Sequence, residues 1–267
     1  MNRIEKTFEN LKIKGEKALV GFVSAGDPDI YESFKLIAAM CEAGLDILEL
    51  GVPFSDPTAD GPVIQRSSLR ALKNGINLKG VIELTKKIRE KTSIPIILFS
   101  YYNPILSYSP KAFYYDAVSA GADGVLVVDL PPEESDEMTS LFSGNELSVI
   151  RLIAPTTPKD RISKITASGS GFLYLVSKTG VTGSYGINTL EISQKIDEIR
   201  NFTKLPICVG FGISTDNDVK EVSRIADGVV IGSAFEKLIE ENLNNIDLAS
   251  IIKDKVSKYK LATKIIA

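Results

Sequence analysis

The sequence predicts a closed (β/α)₈ barrel with extra N- and C-terminal helices. Three observations predict it: eight short apolar runs, amphipathic stretches alternating with them, and no polar or Pro/Gly-rich linker dividing the 267 residues. Barrels of this class reach such a length as one unit, so residues 1–267 are expected to form a single barrel domain. A doubly wound open sheet is the other arrangement of alternating strands and helices, but it seldom has eight evenly spaced units.

The elements follow in order. Residues 1–11 are amphipathic and read as a helix able to close the barrel floor. Residues 19–24 open the apolar runs, followed by runs at 47–50, 94–100, 124–128, 148–153, 172–176, 206–210 and 228–231. Each is nearly continuous in Val, Ile and Leu, the pattern of parallel strands covered on both faces. Amphipathic stretches at 31–43, 81–91, 133–142, 190–201 and 217–224 read as helices between them, and 248–259 as a terminal one. A weak repeat, Ala43-Gly44-Leu45-Asp46, Ala120-Gly121-Ala122-Asp123-Gly124 and Ala226-Asp227-Gly228, ends a helix and opens a strand, with Gly expected as the helix C-cap.

Composition excludes several function classes. Hydrophobic residues make up 44% and charged residues 24%, which suits a water-soluble globular protein. The net charge of −3 carries no basic stripe, so no nucleic acid is expected as a partner. Residues 1–15 are charged and lack the apolar core of a signal peptide. No window reaches the ~18 apolar residues of a membrane span, so no membrane association and a cytoplasmic location are expected. Cys41 and Cys208 each lie in an apolar segment and read as two buried thiols. The absence of histidine excludes a Ser-His-Asp device and His-ligated metal, leaving acid–base work to carboxylates, Lys, Tyr or Cys. No metal site is expected.

Barrel chemistry sits at the carboxyl ends of the strands. Glu49 lies there between Leu48 and Leu50, where a carboxylate must be either functional or paired with a nearby Lys or Tyr. The loop after it, residues 51–62, holds three prolines and two aspartates, and delivers Asp60 back toward the mouth. Asp56 and Asp60 also suit a turn-forming or helix-capping role. Gly210-Phe211-Gly212-Ile213-Ser214 and Gly232-Ser233-Ala234-Phe235 follow the last two strands, the positions at which barrels bind phosphate through backbone amides. Residues 178–186 are rich in Gly and hydroxyls, a composition that suits a mobile lid.

At these residues the chain resembles a known family. Glu49-Leu50-Gly51-Val52-Pro53-Phe54-Ser55-Asp56-Pro57, with Ala59-Asp60-Gly61-Pro62 and Gln65, is similar to the signature of tryptophan synthase α subunits. Gly26-Asp27-Pro28, Tyr102-Asn103-Pro104, Asp129-Leu130-Pro131, Gly180-Val181-Thr182-Gly183 and the two Gly turns continue the likeness in the family's order. Thr58 and Lys178 depart from it, standing where Leu or Val and Arg are frequent.

The resemblance implies a lyase that cleaves indole-3-glycerol phosphate to indole and glyceraldehyde 3-phosphate. It implies Glu49 as the acid–base at indole C3 and Asp60 as the partner of the indole N–H. Gly183, Gly212, Gly232 and Ser233 would hold the phosphate, with Thr182 beside them on the lid. Phe22, Phe99, Leu126, Tyr174 and Phe211 would line the indole slot. The resemblance further implies an α₂β₂ complex with a β subunit, contacted in part through residues 53–60, and pyridoxal phosphate on that partner only. Two rival readings are a phosphate-binding epimerase barrel, which would normally want metal-binding histidines, and a silent barrel that only activates a β partner.

Overall fold

The computed structural model describes residues 2–142, 146–177 and 188–264. Eight parallel strands close into a barrel in the order β1 to β8, each hydrogen-bonded to its sequence neighbours and β8 to β1. They are β1 (Ala18–Ser24), β2 (Ile47–Gly51), β3 (Ile96–Ser100), β4 (Gly124–Val127), β5 (Ser148–Ile153), β6 (Leu173–Val176), β7 (Ile207–Gly210) and β8 (Gly228–Ile231). The helices are α1 (Arg3–Lys14), α2 (Ile30–Glu42), α3 (Pro62–Lys73), α4 (Leu78–Arg89), α5 (Tyr102–Tyr108), α6 (Pro110–Ala120), α7 (Asp136–Thr139), α8 (Lys159–Ala167), α9 (Thr189–Arg200), α10 (Asp216–Ser223), α11 (Ser233–Glu241) and α12 (Leu248–Ala262). The expected closed barrel is thus observed.

Two hydrophobic layers explain why the strands are apolar throughout. Leu19, Leu48, Leu98, Val125, Leu175, Val209 and Val229 face outward under the helices. Val20, Ile47, Ile97, Leu126, Ile150, Tyr174, Cys208 and Val230 fill the interior, as the period of two along each strand requires. Helix α1 closes the floor: Ile4 and Leu11 are buried in the interior layer, and Phe8 packs on Phe172 with ring centroids 6.0 Å apart. Asn2 caps that helix in a capping box with Glu5.

Several expectations need correction. Strand β3 begins at Ile96, because Pro95 has no amide to give the ladder. Residues 133–142 yield only the four-residue α7, after Pro131 and Pro132 and through successive three-residue turns such as Met138 N–H to the Ser135 carbonyl at 3.0 Å. Cys208 is buried, but Cys41 is only partly so. The repeat has a different physical basis from the one its glycines suggest. Gly121 caps α6 at φ 87°, whereas Gly228 lies inside β8, where a Cβ would approach the Cys208 sulfur to 2.6 Å.

The shared element is the aspartate. Asp46, Asp123 and Asp227 accept the amide N–H of Leu19, Ile96 and Ile207 at 2.8, 2.9 and 3.0 Å, each at or near the start of the preceding strand. Each also meets a cation: Lys260 at 2.8 Å, Arg89 at 2.7 Å and Arg200 at 3.0 Å respectively.

Candidate active site at the barrel mouth

A cavity of about 310 Å³ opens at the carboxyl ends of the strands. Its walls come from β1 (Phe22), β2 (Glu49), β3 (Phe99), β6 (Tyr174), the turn after β7 (Phe211, Gly212) and the junction of β8 with α11 (Gly232, Ser233). Asp60 closes it from the loop before α3.

Glu49 is 1% exposed, and neither carboxyl oxygen has a hydrogen-bond partner among the described residues. Strand register sets it beside Phe22 on β1 and Ile97 on β3. Phe22 and Phe99 meet edge to face at 5.1 Å. Burial alone pushes the Glu49 carboxyl up to about 8. The choice left open by the sequence, functional or paired, resolves to a buried acid without a partner among the described residues.

Asp60 has a different setting. Its Oδ2 accepts the Tyr101 hydroxyl at 3.1 Å, and the Tyr101 oxygen accepts the Ala59 N–H at 2.9 Å. Burial raises Asp60 to about 6, opposed by the Tyr101 hydrogen bond. The Asp60 carbonyl accepts Gln65 Nε2 at 2.8 Å, and the Phe54 N–H donates to Ser68 Oγ at 2.9 Å. The loop is thereby fastened to α3 and to Tyr101. Asp56 is exposed and accepts the Ser55 hydroxyl at 2.6 Å, a local turn contact.

The far side of the cavity suits an anion. Helix α11 starts at Ser233 without a side-chain cap, so its first amides have no intrahelical carbonyl. Phe211 (φ 75°) and Gly212 (φ 76°) both hold left-handed backbone, a strained conformation for Phe211, and the Phe211 ring meets Tyr174 edge to face with centroids 6.0 Å apart. A Cβ at Gly210 would lie 2.2 Å from the Tyr174 hydroxyl, so that ring needs glycine beside it.

Of the residues singled out in the sequence, Phe22, Glu49, Asp60, Phe99, Tyr174, Phe211, Gly212, Gly232 and Ser233 come together here. Leu126 does not reach the cavity; it is fully buried in the interior layer. Thr182, Gly183 and the rest of the proposed lid lie outside the described residues. The sequence reading missed Tyr101 and the start of α3, Gly61 to Ile64, which also line or brace the cavity. Proline at the first helical position, Pro62 after Gly61, was the available signal. Among the described residues no three His, Cys, Asp or Glu side chains group closely enough to hold a metal ion.

Fold and cavity define a (β/α)₈ barrel of the kind that carries its site at the carboxyl-terminal mouth. The profile of the tryptophan synthase alpha chain matches residues 8–264. The tryptophan synthase alpha chain of Desulfosudis oleivorans is 62% identical over 264 residues, 99% of this chain and 100% of that protein. The crystal structure of tryptophan synthase subunit alpha from Legionella pneumophila str. Paris superposes with a TM-score of 0.91 at 37% identity, covering 100% of both chains. A chain of M. tuberculosis tryptophan synthase, in an aminoacrylate- and BRD0059-bound form, gives 0.89 at 25% identity over 99% of both chains. The chain belongs to the tryptophan synthase alpha chain family, which serves tryptophan biosynthesis. No helix among the described residues is long and apolar enough to cross a membrane.

Proposed function

We propose that this chain cleaves indole-3-glycerol phosphate to indole and glyceraldehyde 3-phosphate, with Glu49 as general acid and base and Asp60 as the stabilising charge. The observation that carries the reading is the meeting of two carboxyls at one cavity, Glu49 buried without a partner among the described residues and Asp60 held by Tyr101, with proton affinities raised by burial to about 8 and about 6. At neutral pH Glu49 keeps its proton and Asp60 has lost its own.

The chemistry follows from that split. The protonated Glu49 gives its proton to indole C3, making the indolenine. The resulting carboxylate takes the proton of the hydroxyl on the attached glycerol carbon, that oxygen becomes the aldehyde, and the C–C bond electrons return to the ring. The proton count on Glu49 is restored. Asp60 accepts the indole N–H, which becomes more acidic in the indolenine, so its contribution is largest in the transition state. The apolar walls, Phe22, Phe99, Tyr174 and Phe211, fit a planar ring, and the amides at Gly212, Gly232 and Ser233 fit the phosphate. Gly183 and Thr182 complete that subsite in this reading.

The partner is a β subunit in an α₂β₂ assembly, which would contact residues 53–60 and carry the pyridoxal phosphate, with none on this chain. The alpha-chain family membership and the likeness to a chain of M. tuberculosis tryptophan synthase support this. The test is to incubate the purified chain with indole-3-glycerol phosphate, alone and with a β subunit, and assay indole. Indole release in both, faster with β, is expected; none in either would refute the reading.

A further inference from the structure

Behind the cavity, α3 and α11 meet the end of β1 around buried ionisable groups that the proposed reaction does not use. Glu236, in the first turn of α11, is fully buried. Its Oε1 accepts the Ser24 N–H at 2.5 Å, and its Oε2 makes no well-formed hydrogen bond among the described residues. Asp27, also buried, accepts Arg70 Nε and Nη2 at 2.7 and 2.8 Å. Arg70 Nη1 donates to Glu240 at 2.9 Å, and Arg66 grips both Glu240 oxygens at 2.7 Å.

Counting charges decides the state of this group. Two guanidiniums, Arg66 and Arg70, face three carboxyls and are taken up by Asp27 and Glu240. Glu236 is left without a cation, and an unpaired buried carboxylate is costly, so the neutral acid is the stable form. Burial, reinforced by the neighbouring Asp27 carboxylate, pushes Glu236 up to about 8, against the Ser24 hydrogen bond and the Arg70 charge. From α12, Tyr259 packs against α11: its ring meets Phe235 at 5.6 Å and its hydroxyl donates to the Ser214 carbonyl, with Lys255 over its face.

The location gives the neutral form a use. The Glu236 N–H closes the first turn of α11 on the Gly232 carbonyl at 3.1 Å, so the side chain stands one turn behind the amides of Gly232 and Ser233. A negative charge there would satisfy the positive end of the helix that an anion in the cavity needs. We propose that Glu236 is a proton-linked positioning residue for the phosphate subsite: neutral and braced on β1 through Ser24, it leaves the start of α11 to the phosphate, and losing its proton weakens phosphate binding. This rests on the phosphate assignment made above. By linkage, anion binding must raise the proton affinity of Glu236 by the same factor.

The test uses inorganic sulfate, which stays a dianion from pH 6.5 to 9.5, and the full chain carrying Glu49→Gln so that the other acid titrating near 8 is silent; Asp60, which titrates near 6, is common to every protein compared. Sulfate affinity by calorimetry should fall on the order of tenfold across that range. At pH 8 roughly 0.4 proton should be taken up per sulfate, read from buffers of different ionisation enthalpy. Adding Glu236→Gln, which keeps the shape of the neutral acid, should flatten the pH dependence beyond what surface charge leaves and abolish the uptake. Equal pH dependence with and without Glu236→Gln would overturn the proposal. So would zero proton uptake in the Glu49→Gln protein, a measurement that stands even if the double variant does not fold. Sulfate binding untouched by Gly212→Asp would instead remove the phosphate assignment itself, and this inference with it.

Discussion

The two ends of the barrel treat buried carboxylates in opposite ways. At the floor, Asp46, Asp123 and Asp227 each receive a strand amide and a cation within 3.0 Å. At the mouth, Glu49 has no partner among the described residues and Asp60 accepts only a phenol by its side chain. The same functional group is therefore a fastening at one end and, in the proposed reaction, a reagent at the other. Burial raises the proton affinity of Glu49 and Asp60 to where exchange occurs near neutral pH, with at most the Tyr101 hydrogen bond to oppose it.

The contrast breaks if a mouth acid can be neutralised without kinetic loss. Glu49→Gln should lower single-turnover indole release at least about a hundredfold while substrate Kd stays close to wild type, since the amide keeps shape and loses the proton. Indole release within tenfold of wild type would return Glu49 to a structural role.

The floor gives the converse. Asp123→Ala removes the partner of Arg3 and Arg89 and of the Ile96 amide. It should cost about 3 kcal/mol of unfolding free energy, measured by urea denaturation. The kcat of the folded fraction should be unchanged. A kinetic defect without a stability loss would place chemistry at the floor.

A smaller effect sharpens the difference between the two mouth acids. Tyr101→Phe deletes the hydrogen bond that opposes the burial of Asp60, so the acid limb of the kcat/KM profile should move upward from about pH 6, with several-fold loss of kcat. An unmoved limb would detach Tyr101 from Asp60.

A further effect is thermodynamic. Glu49 binds a proton more tightly folded than unfolded, so native protein holds more protons between the ordinary carboxylate range and about pH 8. Stability then falls as pH rises through that window and levels off above it. Glu49→Gln lacks this penalty and should melt higher than wild type at pH 9 by roughly 10 °C, with little difference at pH 4. Equal melting points at pH 9 would argue against a raised acid.

Much of this was legible in the sequence because it depends on local pattern. Continuous Val, Ile and Leu runs marked all eight strands, and Gly-rich turns after β7 and β8 marked one side of the cavity. What stayed hidden depends on contacts distant in sequence. Tyr101 reaches Asp60 across 41 positions, and nothing near either residue signals the pairing. Leu126 shares the apolar character of the slot residues, yet its depth along β4 places it in the packed interior layer. The Asp of the repeat was overlooked beside the Gly because its strand-capping role appears only once neighbouring strands are aligned. Helix α3 is absent from the helices expected from the sequence, where the loop ends at Pro62, although Pro62 is preset for a first helical turn.

The proposed role of Glu49 as proton carrier rests on its being a buried acid without partners among the described residues. Its most direct test is a titration of Glu49 itself, by infrared difference spectra of the wild-type protein against Glu49→Gln as pH is raised. A single carboxyl band lost with a midpoint near 8 is expected. A midpoint in the ordinary carboxylate range, about 4 to 5, would mean that Glu49 is ionised in the resting protein and cannot give the first proton.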